Sequence, residues 1–308
     1  MSDKKGYSII ELLITLIIVG LILSAAYYTY TEIFRSMKEE SESVELQMEK
    51  VIGAELIRLD LEHMGYGIAY DATDSILNWD GNSLTIRSTL NNTNKDTYGW
   101  VLCNDGIMIS DNRVKDNDKI VYIDVNTGNY TSAVTDATCP PTGIQLGLPF
   151  ADNANACNVS GHNTCNTIIY RLSTSQSLTH CNPYTRNLLR VANAGTGSPV
   201  LNCVASINVT FDLDTDGDGT IDCNTTSSGC TMPTTNSDIR EQVKRINFYI
   251  LMQEGGLNKN YVYPNSSITV DGITFSLPTD YTHYRWKVIK ISAKPRGMFG
   301  SIIVKTNP

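Results

Sequence analysis

From Tyr7 to about Tyr30 the chain carries a single charged residue, Glu11. The interior of this stretch, Leu12 to Leu23, reads Leu-Leu-Ile-Thr-Leu-Ile-Ile-Val-Gly-Leu-Ile-Leu. At about 1.5 Å rise per residue, about 20 such residues cross the roughly 30 Å hydrocarbon core of a bilayer. A membrane-spanning helix is therefore predicted. Lys4 and Lys5 before it, with Glu32, Glu39 and Glu40 after it, place the N-terminus on the cytoplasmic side. Tyr27, Tyr28 and Tyr30 fall at the opposite interface. Glu11 is the anomaly, because a carboxylate in such a helix costs about 2.5–3.5 kcal/mol on insertion scales and marks a functional position.

Gly6-Tyr7-Ser8-Ile9-Ile10-Glu11, followed by that apolar run, resembles the processing site of type IV prepilins. The resemblance implies that residues 1–6 are a leader removed by a prepilin peptidase between Gly6 and Tyr7. It also implies that Tyr7 becomes the N-methylated first residue. Glu11 would then pair with the terminal ammonium of a neighbouring pilin inside the filament. The implied course is inner membrane first, head in the periplasm, and extracellular pilus afterwards. Tyr7 departs from the usual Phe. No proline precedes Pro140, so the helix-kinking proline of many major pilins is missing. Two other readings stay open. One is a secretory signal cut near Ser24-Ala25-Ala26, and the other is a plain membrane anchor.

The helix is expected to continue beyond the apolar segment (7–34) through 35–64, where Gly53 is the one glycine before residue 65 and no proline occurs. Val44, Met48, Val51, Ile52, Leu56 and Leu59 recur at helical steps and predict its buried face. Glu39, Glu40, Glu42, Glu45 and Glu49 read mostly as a solvated face. Gly65 and Gly67 supply a stop. Residues 65–308 change texture, with short branched and aromatic runs between Asn, Asp, Gly and Ser loops. Strands are predicted at Leu84–Ser88, Ile107–Ser110, Ile120–Val125, Thr167–Leu172, Asn187–Val191, Cys203–Leu213, Val243–Met252, Ile268–Phe275, Arg285–Ala293 and Ser301–Val304. Residues 126–166 and 224–238 read as long loops. The fold class is α+β, a long N-terminal helix packed on an antiparallel β-rich head, as in the type IV pilin fold.

Further segments are similar to PilW-type minor pilins: Glu55 to Gly67 with its Arg58-Leu59-Asp60-Leu61, then Ile168 to Leu172, Leu188-Leu189-Arg190, Val204 to Asp222, Val243 to Leu251 and Tyr284 to Ile289. This implies a structural minor pilin that takes part in pilus assembly at or near the tip, with other pilins as partners. Alternatives are a minor pseudopilin of a type II secretion system and a calcium-dependent adhesive tip protein with a surface ligand. A net charge of -8, with no long basic run, excludes nucleic acid as a main partner.

All eight cysteines, Cys103, Cys139, Cys157, Cys165, Cys181, Cys203, Cys223 and Cys230, lie beyond residue 100. No pair has the spacing of a zinc knuckle or redox motif. Disulfides in an exported head are expected, with Cys223–Cys230 and Cys157–Cys165 the easiest closures by proximity; scattered buried thiols are the alternative. The four histidines, His63, His162, His180 and His283, are dispersed, although His180 adjoins Cys181. With no recognisable catalytic motif, no catalysis is expected.

Between Asp212 and Asp222 the chain places five carboxylates in eleven residues. Packed closely they repel unless a cation neutralises them. Counting from Asp214, the loop resembles an EF-hand: Asp214, Asp216 and Asp218 take positions 1, 3 and 5, and Gly219 takes position 6. Thr220 offers its carbonyl and Asp222 takes position 9. Ca²⁺ is the expected ion over loop 212–223, with Asp212, Asp238 and Glu241 as further candidate donors. Position 12 is Thr225 instead of a bidentate Glu, and strand-like sequence replaces the flanking helices. An ordinary Asp/Gly turn is the alternative.

Overall fold

The computed structural model describes residues 9–135, 138–150, 157–159, 162–175, 178–193 and 195–296. Gly6, Tyr7 and the predicted strand Ser301–Val304 lie outside the described residues. Helix α1 spans Ile9–Glu62. The chain divides into two compact units, one ending at Met48 and one beginning at Glu49. In the first, every residue from Ile9 to Phe34 is exposed, and this segment is long and apolar enough to cross a membrane.

In the second unit the buried face of α1 differs from the predicted one. Val51 and Ile52 are 70% and 66% exposed. The side chains of Val44 and Met48 lie outside the described residues, while Leu56 and Leu59 are half-buried. The stripe that meets the head is Gly53, Ile57, Asp60, Leu61 and, just beyond the helix, Met64. Two features cause the rotation. Gly53 lies so close to the Val200 carbonyl oxygen that a Cβ would overlap it. Asp60, which a hydropathy pattern assigns to solvent, is drawn inward by a polar network described below. The helix then ends in a turn carrying Gly65 and Gly67, and Gly65 N donates to Arg87 O at 2.8 Å.

Among the described residues, sixteen strands follow. The first eight are β1 (Leu77–Trp79), β2 (Ser83–Ser88), β3 (Val101–Asn104), β4 (Ile107–Ser110), β5 (Lys119–Asp124), β6 (Tyr130–Thr135), β7 (Ile144–Pro149) and β8 (Cys157–Val159). The rest are β9 (His162–Leu172), β10 (Arg186–Ala192), β11 (Ser198–Leu213), β12 (Cys223–Asn224), β13 (Val243–Glu254), β14 (Ser267–Val270), β15 (Ile273–Ser276) and β16 (Arg285–Ala293). A short helix α2 (Asn236–Gln242) precedes β13. The main sheet has the order β1-β2-β9-β10-β11-β13-β16, with β8 on β9 and β12 on β11. A second sheet has the order β4-β3-β7-β5-β6, and β14-β15 is a separate hairpin. All these pairings are antiparallel.

Three predicted elements need correction. Residues 126–166 are not a loop, because β6, β7, β8 and the start of β9 lie there. Residues 224–238 contain the end of β12 and the start of α2, whose cap is the Thr235 side chain accepting from Asp238 N. Ile268–Phe275 is not one strand: Asp271-Gly272 turns it into a hairpin, with φ of 51° and 80°. That dipeptide supplies the two positive φ angles a two-residue hairpin turn needs.

The helix is fixed to the sheet by a buried ion pair. Asp60 and Arg190 have side chains 0% and 5% exposed, with Arg190 Nε 2.6 Å from Asp60 Oδ2. Arg190 Nη2 donates to Asp60 Oδ1 at 3.2 Å, Tyr170 Oη to Oδ2 at 2.6 Å, and Asn92 Nδ2 to Oδ1 at 2.7 Å. Burial beside the Asp60 carboxylate pushes the Tyr170 hydroxyl well above its ordinary pKa, so it stays a donor. Around this polar centre Ile57, Leu61 and Met64 join Leu84, Ile86, Ile168, Leu188 and Phe248 in one core. Asp60→Ala leaves the Arg190 guanidinium buried without its partner, so a loss of about 3–5 kcal/mol is expected in denaturant unfolding. Adding Arg190→Met should cost less than the sum of the single losses; strict additivity would show that the pair is not coupled.

Candidate functional site

The acidic loop closes the end of the main sheet. Asp212 and Leu213 of β11 pair with Asn224 and Cys223 of β12. Cys223–Cys230 then pins the return with a Cα separation of 6.1 Å. Asp222 N donates to Leu213 O and Asp214 N to Gln242 O, each at 2.9 Å. The loop is therefore tied both to its own hairpin and to the end of α2. Strands and not helices flank it, as the sequence predicts. Thr225, at the position an EF-hand gives to Glu, is used by the hairpin: its N donates to Phe211 O, and its Oγ1 accepts from Phe211 N.

Within the loop, Asp214 is buried and organises the turn. Its Oδ1 accepts from Gly217 N at 2.7 Å and its Oδ2 from Gly219 N at 2.9 Å. Both glycines have positive φ, 78° and 91°, which aims their amides inward. Asp216 Oδ1 accepts from Asp218 N at 3.1 Å. Asp218 Oδ1 accepts from Thr220 N and Oγ1 at 2.7 and 2.6 Å. Carboxylate oxygens of Asp214, Asp216 and Asp218 lie within 4.8 Å of one another.

The other candidates are directed elsewhere. Asp222 Oδ2 accepts from Thr215 N and Oγ1 at 2.6 and 2.8 Å, and these bonds hold its pKa below the ordinary carboxylate value. Asp212 accepts from Asn224 Nδ2 and faces Arg245 at 3.5 Å, its neighbour across β11 and β13. Asp238 lies in the first turn of α2, and the Glu241 carbonyl accepts from Lys244 Nζ at 2.8 Å.

Sequence reasoning missed Lys244. Its Nζ sits 2.9 Å from Asp214 Oδ2. Lys244 lies one residue into β13, and the Leu213–Val243 register brings it to the loop. No local pattern signals this, because the two residues meet through sheet pairing alone. Lys244, followed by the Gly217 and Gly219 amides, holds the Asp214 carboxyl below its usual range. Lys244 thus sets an ammonium against Asp214 inside the turn, while Arg245 faces Asp212 at its edge. The donor set is all oxygen, three side chains are already gathered, and backbone amides fix the turn; that fits a hard cation of the calcium class. Asp214, Asp216 and Asp218 would hold it.

The described cysteines are all oxidised. Cys103–Cys139 and Cys181–Cys203 are bridged with Cα separations of 5.5 and 5.3 Å. The expected Cys223–Cys230 closure is present. Cys165 is disulfide-bonded and Cys157 lies opposite it in the β8–β9 register, although the Cys157 side chain is outside the described residues. Two histidines have structural partners, His63 with Asn92 at 3.0 Å and His283 with the Tyr261 carbonyl at 2.8 Å.

At the other end of the chain, Glu11 lies on the exposed apolar segment of α1. Residues 1–27, which include Gly6, Tyr7 and Glu11, match the family model described as the prokaryotic N-terminal methylation motif. This match supports a type IV pilin or pseudopilin family for the chain. There is no significant match among curated proteins or among solved structures.

Proposed function

We infer that this chain is a structural minor pilin, a PilW-like subunit that helps initiate a type IV pilus-like filament and sits at or near its tip. The observation that carries this reading is the coupling of a methylation motif over residues 1–27 to a helix whose apolar residues Ile9–Phe34 are all exposed. So much apolar surface is stable only in lipid or against other subunits. Cleavage after Gly6 frees an ammonium at Tyr7, and Glu11 is the carboxylate that receives a neighbour's ammonium when lipid is exchanged for a filament core. A pair of this kind, excluded from water, gives the membrane carboxylate its purpose. The large head fits a rare subunit better than a bulk one. Deleting the gene should abolish surface filaments. Expression of Glu11→Ala should restore the processed protein in the membrane without restoring filaments. Normal filaments in the deletion strain, with loss of protein secretion, would overturn the reading in favour of a secretion pseudopilin.

The head's acidic loop binds calcium in this reading. Asp214, Asp216 and Asp218 supply carboxylate oxygens, and the bound ion supplies the charge that Lys244 alone leaves unbalanced. Lacking a bidentate Glu, the loop belongs at the weak, extracellular end of calcium affinities, about 10⁻⁴–10⁻³ M. Its role is to order the β11–β12 connection on the head. Calorimetric titration of the detergent-solubilised chain should show one calcium site, and Asp214→Asn with Asp218→Asn should remove it. An unchanged titration in that double variant would place the ion elsewhere.

A further inference from the structure

Strand β4 (Ile107–Ser110) forms an edge of the second sheet, and all four of its residues are exposed. Ile107, Met108 and Ile109 are 68%, 45% and 56% exposed. An open edge is normally blunted by charge, by proline, by a bulge or by very short length. The edge strand β16 carries Arg285, Lys287 and Lys290, and the edge strand β1 has only three residues. β4 has neither charge nor proline, and its register with β3 is unbroken. Among the described residues, no strand other than β3 pairs with it.

The register fixes which backbone groups this edge offers. Asp105 and Gly106, with φ of 46° and 82°, make a two-residue turn between β3 and β4. Such a turn makes Asn104 and Ile107 a hydrogen-bonded pair, and bonded pairs alternate with non-bonded ones along an antiparallel ladder. Leu102–Ile109 is then the next bonded pair, and Asp111 N donating to Trp100 O at 2.9 Å continues the series. The N–H and C=O groups of Met108 and Ser110 therefore point away from β3. Ile107 and Ile109 lie on one face of the strand and Met108 on the other. A strand added here meets apolar side chains on both faces.

We propose that Ser301–Val304 of the same chain adds to β4 as an antiparallel strand. Its sequence, Ser-Ile-Ile-Val, is uncharged and rich in β-branched residues. The place where the described chain ends sets the direction. Arg296 N donates to Glu62 O at 2.8 Å, at the end of α1. The same helix end touches the approach to β3: Asp60 and His63 both bond Asn92, and Tyr98 Oη donates to the Asn92 carbonyl. The charges of Asp111 and Arg113, just past β4, also act on Tyr66 in the turn after α1. Ser110 is thus the end of β4 nearer Arg296, and a strand entering from there runs antiparallel to β4. Residues 297–302 span up to about 20 Å when extended. Matching Ile302 with Ser110 and Val304 with Met108 aims the amides of both at the outward groups of β4. Lys305, the first charge after the run, then falls beside the exposed Asp105–Gly106 turn. Seated so, the segment keeps the heads of separate chains from pairing edge to edge.

Amide hydrogen exchange of the full chain in detergent, read residue by residue, tests the pairing. The comparison is the full chain carrying Ile302→Pro and Val304→Pro, which removes the two donors and leaves every described residue as it is. The Met108 and Ser110 amides should exchange at least about tenfold more slowly in the unsubstituted chain than in this variant. Exchange of both amides at the rate of an unstructured peptide in the unsubstituted chain would overturn the proposal. Protection that survives the two prolines would overturn it too, because another segment would then cover the edge. Protection that rises with protein concentration would also count against it, in favour of a second copy pairing through β4.

Discussion

Asp60 brings a carboxylate with no exposed surface to β9 and β10 of the main sheet, and Arg190, Tyr170 and Asn92 all donate to it. A buried carboxylate missing these donors is too costly to keep charged. The pairing therefore admits one rotation of α1 about its axis, the one that turns Asp60 inward. Gly53 then meets β11 at the Val200 carbonyl, and Ile57 and Leu61 fill the core between these two points. Val51 and Ile52 are left facing outward. The same constraint that seats the second half of the helix on the head thus leaves an apolar face on it, which suits a subunit that packs against others.

Much of the architecture is legible in the sequence. The apolar run and the glycines at 65 and 67 mark α1 and its end. The strongest branched and aromatic runs, in β5, β9, β11, β13 and β16, read as strands because burial on a sheet selects such residues. The weaker elements failed for definable reasons. β6 (Tyr-Thr-Ser-Ala-Val-Thr) and β7 (Ile-Gln-Leu-Gly-Leu-Pro) mix polar and small residues, so their pairing comes from neighbours and not from their own pattern. The buried face of α1 departs from its hydropathy pattern because that pattern counts Asp60 as solvated and gives Gly53 no weight. Arg58–Leu61, Tyr170 and Arg190 all fall in the segments that are similar to PilW-type minor pilins. Their meeting at one carboxylate is long-range, and spacing does not reveal it.

The acidic loop shows the same division. Asp214, Asp216 and Asp218 converge, and the two glycines take the turn geometry the spacing demands. Asp222, which the spacing places at position nine, accepts from Thr215, and Asp212, a further candidate donor, accepts from Asn224 and faces Arg245. Lys244 enters only through sheet register, and it changes the electrostatics of the loop by giving Asp214 a permanent counter-ion. The chain thus joins two different solutions for buried carboxylates in its head, a guanidinium for Asp60 and an ammonium for Asp214. In the filament reading, Glu11 is the third such carboxylate, and its partner comes from another subunit.

Intact-mass spectrometry of the protein recovered from its native membranes and filaments tests the central claim most directly. The account predicts a chain that begins at Tyr7 and carries one methyl group on its amino terminus. A chain that retains residues 1–6, or one that begins after Ala26, would contradict it.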